Sequence, residues 1–253
     1  MRHLLNQITC GDSRTLADEI KPESVDMIFT DPVYKNIEDY RWLAEVACRV
    51  LKPSGMALVF TGVAEIYDCL KAMVEGGLVY RWQIPLYKAN QQNFMYSPVG
   101  RNKYTPCFWM DRNHTSKPIH PAVDIRKVTY PDSMKSGFEW AKSPSYIAHY
   151  LRAFTNEGDL VFDPFSGLGT LPAIAKKFQR NFIAFEINPE RASQAMERVL
   201  STTITPVLLE GGLTLPAPDG GDSAPSQTLS TPDMFSAIEH EPTPAPLAGK
   251  AYR

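Results

Sequence analysis

Two short stretches of the chain carry residue types that could do chemistry together. The first is Phe29-Thr30-Asp31-Pro32-Val33-Tyr34, where an apolar run ends in an acid, a proline and an aromatic. An ionised carboxylate only accepts hydrogen bonds. The Pro32 carbonyl is a second acceptor, on a backbone whose φ the ring fixes. Two acceptors held close together suit a planar –NH2 group. Binding both N–H bonds would turn the nitrogen lone pair out of conjugation and towards an electrophile. Tyr34 offers a face on which a base could stack. Asp-Pro is also an ordinary turn dipeptide, so this stretch alone leaves both readings open.

The second stretch is Asp163-Pro164-Phe165-Ser166-Gly167-Leu168-Gly169, between a strand pattern and a helix pattern. Glycines there permit a tight turn and close approach of a ligand to backbone. Glu186 follows the next strand, 17 residues past Gly169. That fits the spacing of an acid that receives ribose hydroxyls, about 20 residues in nucleotide sites. A dinucleotide is excluded because Pro172 stands where the third glycine of G-x-G-x-x-G would fall. No Gly-Lys-Ser/Thr follows, which excludes a phosphate-binding P-loop. A nucleoside ligand without a pyrophosphate remains, and S-adenosylmethionine is the obvious one.

Both stretches need elements that end at one sheet edge. Gln7–Cys10, Val25–Thr30, Met56–Phe60, Asp159–Phe162 and Asn181–Phe185 read as short buried strands. Thr15–Ile20 (capped by Ser13), Tyr40–Leu51, Ala64–Glu75, Ser145–Phe154, Thr170–Phe178 and Pro189–Leu200 read as helices. In the second of these, Leu43, Val46, Ala47 and Val50 fall on one face. Alternating strands and helices predict an α/β fold, a mostly parallel sheet with helices on both faces. The rhythm fails at residues 81–141, which are rich in Pro, Asn, aromatic and basic residues. There Arg101–Trp109 reads partly as strand, and Ser97–Gly100 and Arg112–Pro121 read as loops. We therefore divide the chain into 1–80, an insert at 81–141, 142–201, and a tail at 202–253 that holds eight of the 21 prolines and reads as disordered.

The net charge of −2 conceals a segregation. From Arg81 to Lys142 there are 10 basic and 4 acidic residues, against 2 basic and 6 acidic from Thr202 onward. A basic middle in an acidic body is the pattern of a polyanion-binding insert. Tyr96, Tyr104 and Trp109 within it read as core. The four dispersed cysteines form no metal or disulfide pattern, and the five histidines do not cluster. No apolar run approaches membrane-spanning length, and Met1–Asn6 lacks a signal-peptide core. These features predict a cytoplasmic protein with reduced thiols, no metal and no membrane partner.

Together the two motifs resemble the DNA amino-methyltransferases, which methylate adenine N6 or cytosine N4 with S-adenosylmethionine. Asp31-Pro32-Val33-Tyr34 is similar to their Asp/Asn/Ser-Pro-Pro-Tyr/Phe motif, with Val33 in place of the second proline. Asp163–Thr170 matches Asp-Pro-Phe-x-Gly-x-Gly-Thr. Cys10-Gly11-Asp12, Val25–Ile28, Gly158–Val161 and Phe182–Glu190 also look like the family. The catalytic motif precedes the cofactor motif with a basic region between, the order of the circularly permuted β group.

The resemblance implies a Rossmann-like methyltransferase fold and base flipping, and it implies named roles. Asp31 and Pro32 would bind the target amine, and Tyr34 would stack on the base. Asp163, Phe165, Gly167, Gly169 and Thr170 would border the cofactor, Glu186 would hold its ribose, and Asp12 would approach its adenine amine. Lys142 matches a family lysine of the cofactor site, although Phe138–Ser143 lacks the usual His-Pro. Double-stranded DNA is the implied partner, with Arg101, Lys103, Arg112, Lys117, Arg126 and Lys127 as contacts. Many relatives form homodimers, and the residues leave open whether a restriction endonuclease partner exists.

Aspartate at position 31 favours adenine over cytosine, because cytosine enzymes more often carry serine there. A protein glutamine methyltransferase has the opposite motif order and an opening Asn. A catalytically impaired DNA-binding relative is the alternative from another class, kept open by Val33 and the altered lysine motif.

Overall fold

The computed structural model describes residues 1–88, 96–97, 100–101, 103–120, 122, 126–128 and 142–204. The chain divides into Met1–Val207 and Leu208–Arg253, and the second unit lies wholly outside the described residues. The expectation of a disordered tail therefore falls almost entirely outside them. So do residues 138–141 of the altered lysine motif.

In chain order the elements are β1 (Gln7–Cys10), α1 (Ser13–Leu16), β2 (Val25–Thr30), α2 (Ile37–Val50), β3 (Leu51–Phe60), α3 (Ile66–Glu75), β4 (Val79–Gln83), β5 (Leu86–Lys88), β6 (Tyr96–Ser97), β7 (Gly100–Arg101), β8 (Tyr104–Thr105), β9 (Cys107–Asp111), β10 (Arg126–Val128), α4 (Pro144–Phe154), β11 (Leu160–Asp163), α5 (Thr170–Lys177), β12 (Asn181–Glu186) and α6 (Pro189–Ser201). The main sheet runs β1-β12-β11-β2-β3-β9-β4. Its first five strands are mutually parallel, and β9 lies antiparallel between β3 and β4.

Side-chain alternation splits the core into two layers. Met27, Phe29, Leu58, Phe60 and Val161 pack with Tyr146, Ile147, Leu151, Leu171 and Ala195 of α4, α5 and α6. Ile28, Ala57, Val59, Phe162 and Phe185 face Leu43, Ala47, Val50, Cys69 and Met73 of α2 and α3. The stripe predicted on α2 is buried as expected: Leu43, Val46, Ala47 and Val50 all belong to that second layer.

The sequence differs from the structure at three local points. The helix expected at Thr15–Ile20 is a single α turn followed by a 3-10 turn, Ala17–Glu19. Its cap is Asp12, whose carboxylate accepts from the Arg14 N–H at 2.9 Å; the Ser13 hydroxyl donates instead to the Pro164 carbonyl. Strand β3 starts at Leu51 rather than Met56, because a register irregularity opposite Val25–Met27 absorbs the Lys52–Gly55 breaker.

Strand β4 crosses the 80/81 division, and β9 and β4 extend the main sheet, with β4 at its edge. A small sheet, β10-β5-β8, and the β6–β7 pair make up the remaining strands.

Candidate active site

Strands β2 and β11 are neighbours at the centre of the sheet. From β11 the chain crosses through α5 to β12 on one side; from β2 it crosses through α2 to β3 on the other. This reversal creates a crevice at the carboxyl ends of both strands, where open α/β sheets bind ligands. Asp31 follows β2 and Asp163 ends β11, so residues 132 positions apart in sequence meet at one edge. Thr30 Oγ1 donates to Asp163 Oδ1 at 2.7 Å and joins the two strand ends directly.

A cavity of about 610 Å³ occupies the crevice. Its wall includes Asp12, Asp31, Lys142, Asp163, Phe165, Gly167, Thr170 and Glu186, which brings most of the expected site residues together. Gly169 is not on this wall. It sits at φ 70°, and a Cβ there would lie 2.8 Å from Ala195 Cβ, so its role is to let α5 start against α6. Gly167, at φ 52°, has open space where a Cβ would stand, leaving backbone accessible to a ligand.

The cofactor half is built from loop ends. Ser166 N–H donates to the Phe185 carbonyl at 2.9 Å and Gly169 N–H to the Ser166 carbonyl at 2.8 Å, which closes the turn. Glu186 is buried, and its Oε1 accepts from the Asn188 N–H at 2.9 Å. Asn188 in turn caps α6 by accepting from Glu190 and Arg191 N–H, both at 3.0 Å, with Pro189 at the first helical position. Thr170 Oγ1 accepts from Arg198 at 2.9 Å. Phe165 packs edge-on against Trp42 of α2, centroids 5.9 Å apart.

Asp163 is buried and accepts on one oxygen from Thr30 and, at 3.2 Å, from Phe165 N–H. Burial pushes its carboxyl up to about 7, against the pull of those two donors.

The amine-binding half centres on Asp31. Its Oδ2 accepts from Lys142 Nζ, and its Oδ1 is buried with no hydrogen-bond partner. Pro32 is buried, Tyr34 is half-buried and Val33 is 67% exposed. Burial first, then the Asp31 carboxylate, hold the Tyr34 hydroxyl protonated well above its ordinary range. Tyr34 packs against Gly62 at the end of β3: a Cβ there would stand 3.0 Å from Tyr34 Cδ2 and 2.0 Å from Glu65 Oε2.

Val33 N–H donates no hydrogen bond among those of the described residues, and the residue is largely exposed on the cavity wall. Val33→Pro is therefore expected to leave stability intact and to maintain or raise catalytic rate. Methyl-transfer assays of the two proteins check this, and a large loss of rate would contradict the acceptor-pair assignment.

Residues that the sequence reading missed also shape the cavity. Ser166 contributes a buried, unpartnered hydroxyl; Ile187 presents a 70% exposed apolar face beside Glu186; Arg14 and Asp39 pair at 2.9 Å on the far wall. Ile187 was legible as an apolar residue stranded between an acid and a helix cap. The Arg14–Asp39 pair had no signal in sequence.

The expected DNA contacts separate. Cys107 pairs with Phe60, so the start of β9 and the adjoining β8 stand at the crevice edge, and exposed Lys103 precedes β8. Because β9 runs antiparallel, Asp111 lies opposite Met56, at the other edge. Arg112 there bonds Glu23 at 3.0 Å and the Leu51 carbonyl at 2.8 Å. Lys117 lies on the same loop, between Ser116, held by Asp111, and Ile119, whose N–H donates to Ala153 at the far end of α4. These two residues are thus displaced from the crevice by strand direction. The backbones of Arg101, Arg126 and Lys127 lie in β7 and β10; their side chains, like that of Tyr96, are outside the described residues. Trp109 is partly buried and packs against the core, edge-on to Phe154 at 4.9 Å and bonded to Ser116 at 2.9 Å.

Residues 79–197 match the family model described as DNA methylase. The chain is 26% identical over 235 residues to the type II methyltransferase M2.LlaDCHI of Lactococcus lactis subsp. cremoris, covering 75% of this chain and 87% of that protein. It is 27% identical over 237 residues to the DNA adenine methyltransferase YhdJ of Escherichia coli K12, covering 75% and 81%. Among solved structures, the M1.HpyAVI–SAM complex aligns with a TM-score of 0.64 at 24% identity, over 76% of this chain and 98% of that one, and establishes the fold.

Proposed function

We propose, from the match of residues 79–197 to the DNA methylase family model, that this chain transfers a methyl group from S-adenosylmethionine to the exocyclic amine of a DNA base, adenine N6. The observation that carries the proposal is the buried, unpartnered Asp31 Oδ1 at the switch-point crevice, on a cavity wall shared with a glycine turn and an acid suited to a nucleoside. Aspartate rather than serine at this position favours adenine; cytosine N4 uses the same acceptors and is the second reading.

The cavity residues fit the cofactor. Gly167 leaves a cradle open beside the backbone, the Ser166 hydroxyl is buried without a partner, and Glu186 keeps one carboxylate oxygen for ribose hydroxyls. Bound there, S-adenosylmethionine supplies an electrophilic methyl on sulfur. Of the cavity residues, Asp12 and Ile187 would border the adenine end, and Asp163 would set a carboxylate near the cationic end.

On the target side, Asp31 and the Pro32 carbonyl would accept the two amine N–H bonds. The nitrogen lone pair would then point out of the base plane, and the positive charge developing on it as the N–C bond forms and the methyl–sulfur bond breaks would fall beside the Asp31 carboxylate, before the surplus amine proton is lost to solvent. Fixing the two reactants in line is worth about 7–11 kcal/mol in favourable cases. The amine lies inside the stack of a duplex, so the base must flip out or come from a single strand, as the general rule for methyltransferases holds. The stacking face is Tyr34. Lys103, at the crevice edge, would contact phosphates, as would Arg101, Arg126 and Lys127, giving salt-dependent DNA binding.

The test is to incubate the protein with tritiated cofactor and amplified bacterial DNA, which carries no modified bases, then digest and identify the labelled nucleoside. Labelled N6-methyladenine is expected. Label on cytosine N4 would select the second reading, and no label in any nucleoside would reject both.

A further inference from the structure

Family resemblance assigns Lys142 to the cofactor, but its ammonium is engaged elsewhere. Of its three donors, one goes to Asp31 Oδ2 and one to the Tyr34 hydroxyl at 2.9 Å. The group also stands 4.9 Å from the centroid of Phe60 at the end of β3. The side chain is 13% exposed. Its backbone is fixed by the helix that follows: α4 is anchored by fully buried Tyr146, whose hydroxyl donates to the Ile84 carbonyl and whose ring lies 5.6 Å from Phe60 and 6.4 Å from Phe29. Phe29 and Phe60 belong to the strands that carry the site, so α4, β2 and β3 place the lysine as one packed unit.

Two consequences follow from this geometry. With Oδ2 held, Asp31 presents Oδ1 as the acceptor that remains unpartnered. The ammonium sits 5.4 Å from the Tyr34 centroid while bonded to its hydroxyl at 2.9 Å, so it lies beyond the oxygen and leaves the ring faces clear. One cation therefore fixes both the acceptor and the stacking platform and occupies neither working surface.

We propose that Lys142 is a positioning residue of the target-amine site, holding Asp31 and Tyr34 in the mutual geometry that receives a flipped base; this rests on the DNA-methylation reading above. A cofactor ligand would behave differently when removed. The charge of Lys142 persists in its setting because the Asp31 carboxylate and the Tyr34 hydroxyl outweigh the burial that opposes it, which holds the ammonium above the ordinary lysine range. A neutral replacement of similar length keeps the packing and removes the clamp.

The experiment compares wild type with Lys142→Met and Lys142→Arg, using calorimetry with S-adenosylmethionine and single-turnover methyl transfer to amplified bacterial DNA at saturating cofactor. For Lys142→Met, a cofactor Kd within about twofold of wild type is expected, with the transfer rate down about a hundredfold, the scale of losing one preorganised donor. Lys142→Arg, which keeps a cation with several donors, is expected to recover part of that rate. A Kd raised about tenfold or more with the rate restored at saturating cofactor overturns the proposal in favour of a cofactor ligand, as does a Lys142→Met rate within about threefold of wild type. Normal cofactor binding certifies a folded site; should Lys142→Met fail to bind or fold, Lys142→Gln is judged by the same two criteria. Absence of transfer by the wild type itself is a separate signature, which rejects the substrate class and the target-side role together.

Discussion

Asp31→Ala is expected to lower methyl transfer about a thousandfold or more, while leaving the Kd for S-adenosylmethionine within about twofold. The size of the effect follows from what the alanine removes. It takes away both carboxylate oxygens: Oδ1, the buried acceptor without a partner, and Oδ2, which receives Lys142. The target amine keeps only the Pro32 carbonyl, so its lone pair is no longer turned towards the methyl group. The charge developing on nitrogen also meets an uncompensated ammonium, because Lys142 stays where α4 holds it. Cofactor affinity is spared because Glu186 ends β12 and Ser166 and Gly167 lie in the turn after β11, and none of them bonds to Asp31. Tritium incorporation into DNA gives the first quantity and calorimetry the second. Asp31→Asn separates charge from shape: it retains one acceptor oxygen but no charge, and its rate should fall between the two. A wild-type rate in Asp31→Ala would remove Asp31 from the reaction altogether.

Asp163→Asn is expected to stabilise the ligand-free protein at pH 8 by about 2 kcal/mol, an advantage that shrinks as the pH falls towards 5. Burial raises this carboxyl from its ordinary 3.8 to about 7 in the folded protein. A raised acid favours folding in its protonated form. That contribution is complete below about pH 4, where the unfolded chain is protonated too, and it is lost progressively as the pH rises to about 7. The full shift corresponds to roughly 4 kcal/mol as a ceiling. Asparagine keeps the acceptor that Thr30 and the Phe165 N–H use, and it carries no charge to bury. Urea unfolding of both proteins from pH 5 to 9 tests this. The gap should widen up to neutrality and then stay level; a gap independent of pH would show that Asp163 does not titrate there. Cofactor affinity is expected to weaken in the same variant, since a negative charge facing the cationic end is gone. That opposition of stability to function is the usual mark of a strained site residue.

The sequence by itself determined the elements and the chemistry at their ends. Strands Gln7–Cys10 and Val25–Thr30 run as predicted, the α2 stripe is buried, and the glycine turn lies between a strand and a helix, because those signals are local: apolar periodicity, turn residues and helix caps act within a few positions. Even the local signals faltered where two residues competed for one task. Asp12 took the cap expected of Ser13, because the serine hydroxyl had a better partner across the fold at Pro164.

Only the tertiary structure decided which ends meet. That β2 lies beside β11, that antiparallel β9 carries Arg112 and Lys117 to the opposite edge, and that Lys142 reaches Asp31 and Tyr34 rather than the glycine turn are outcomes of strand order and direction. Those are fixed by burying whole faces of the sheet at once, a long-range condition that no short stretch of residues encodes.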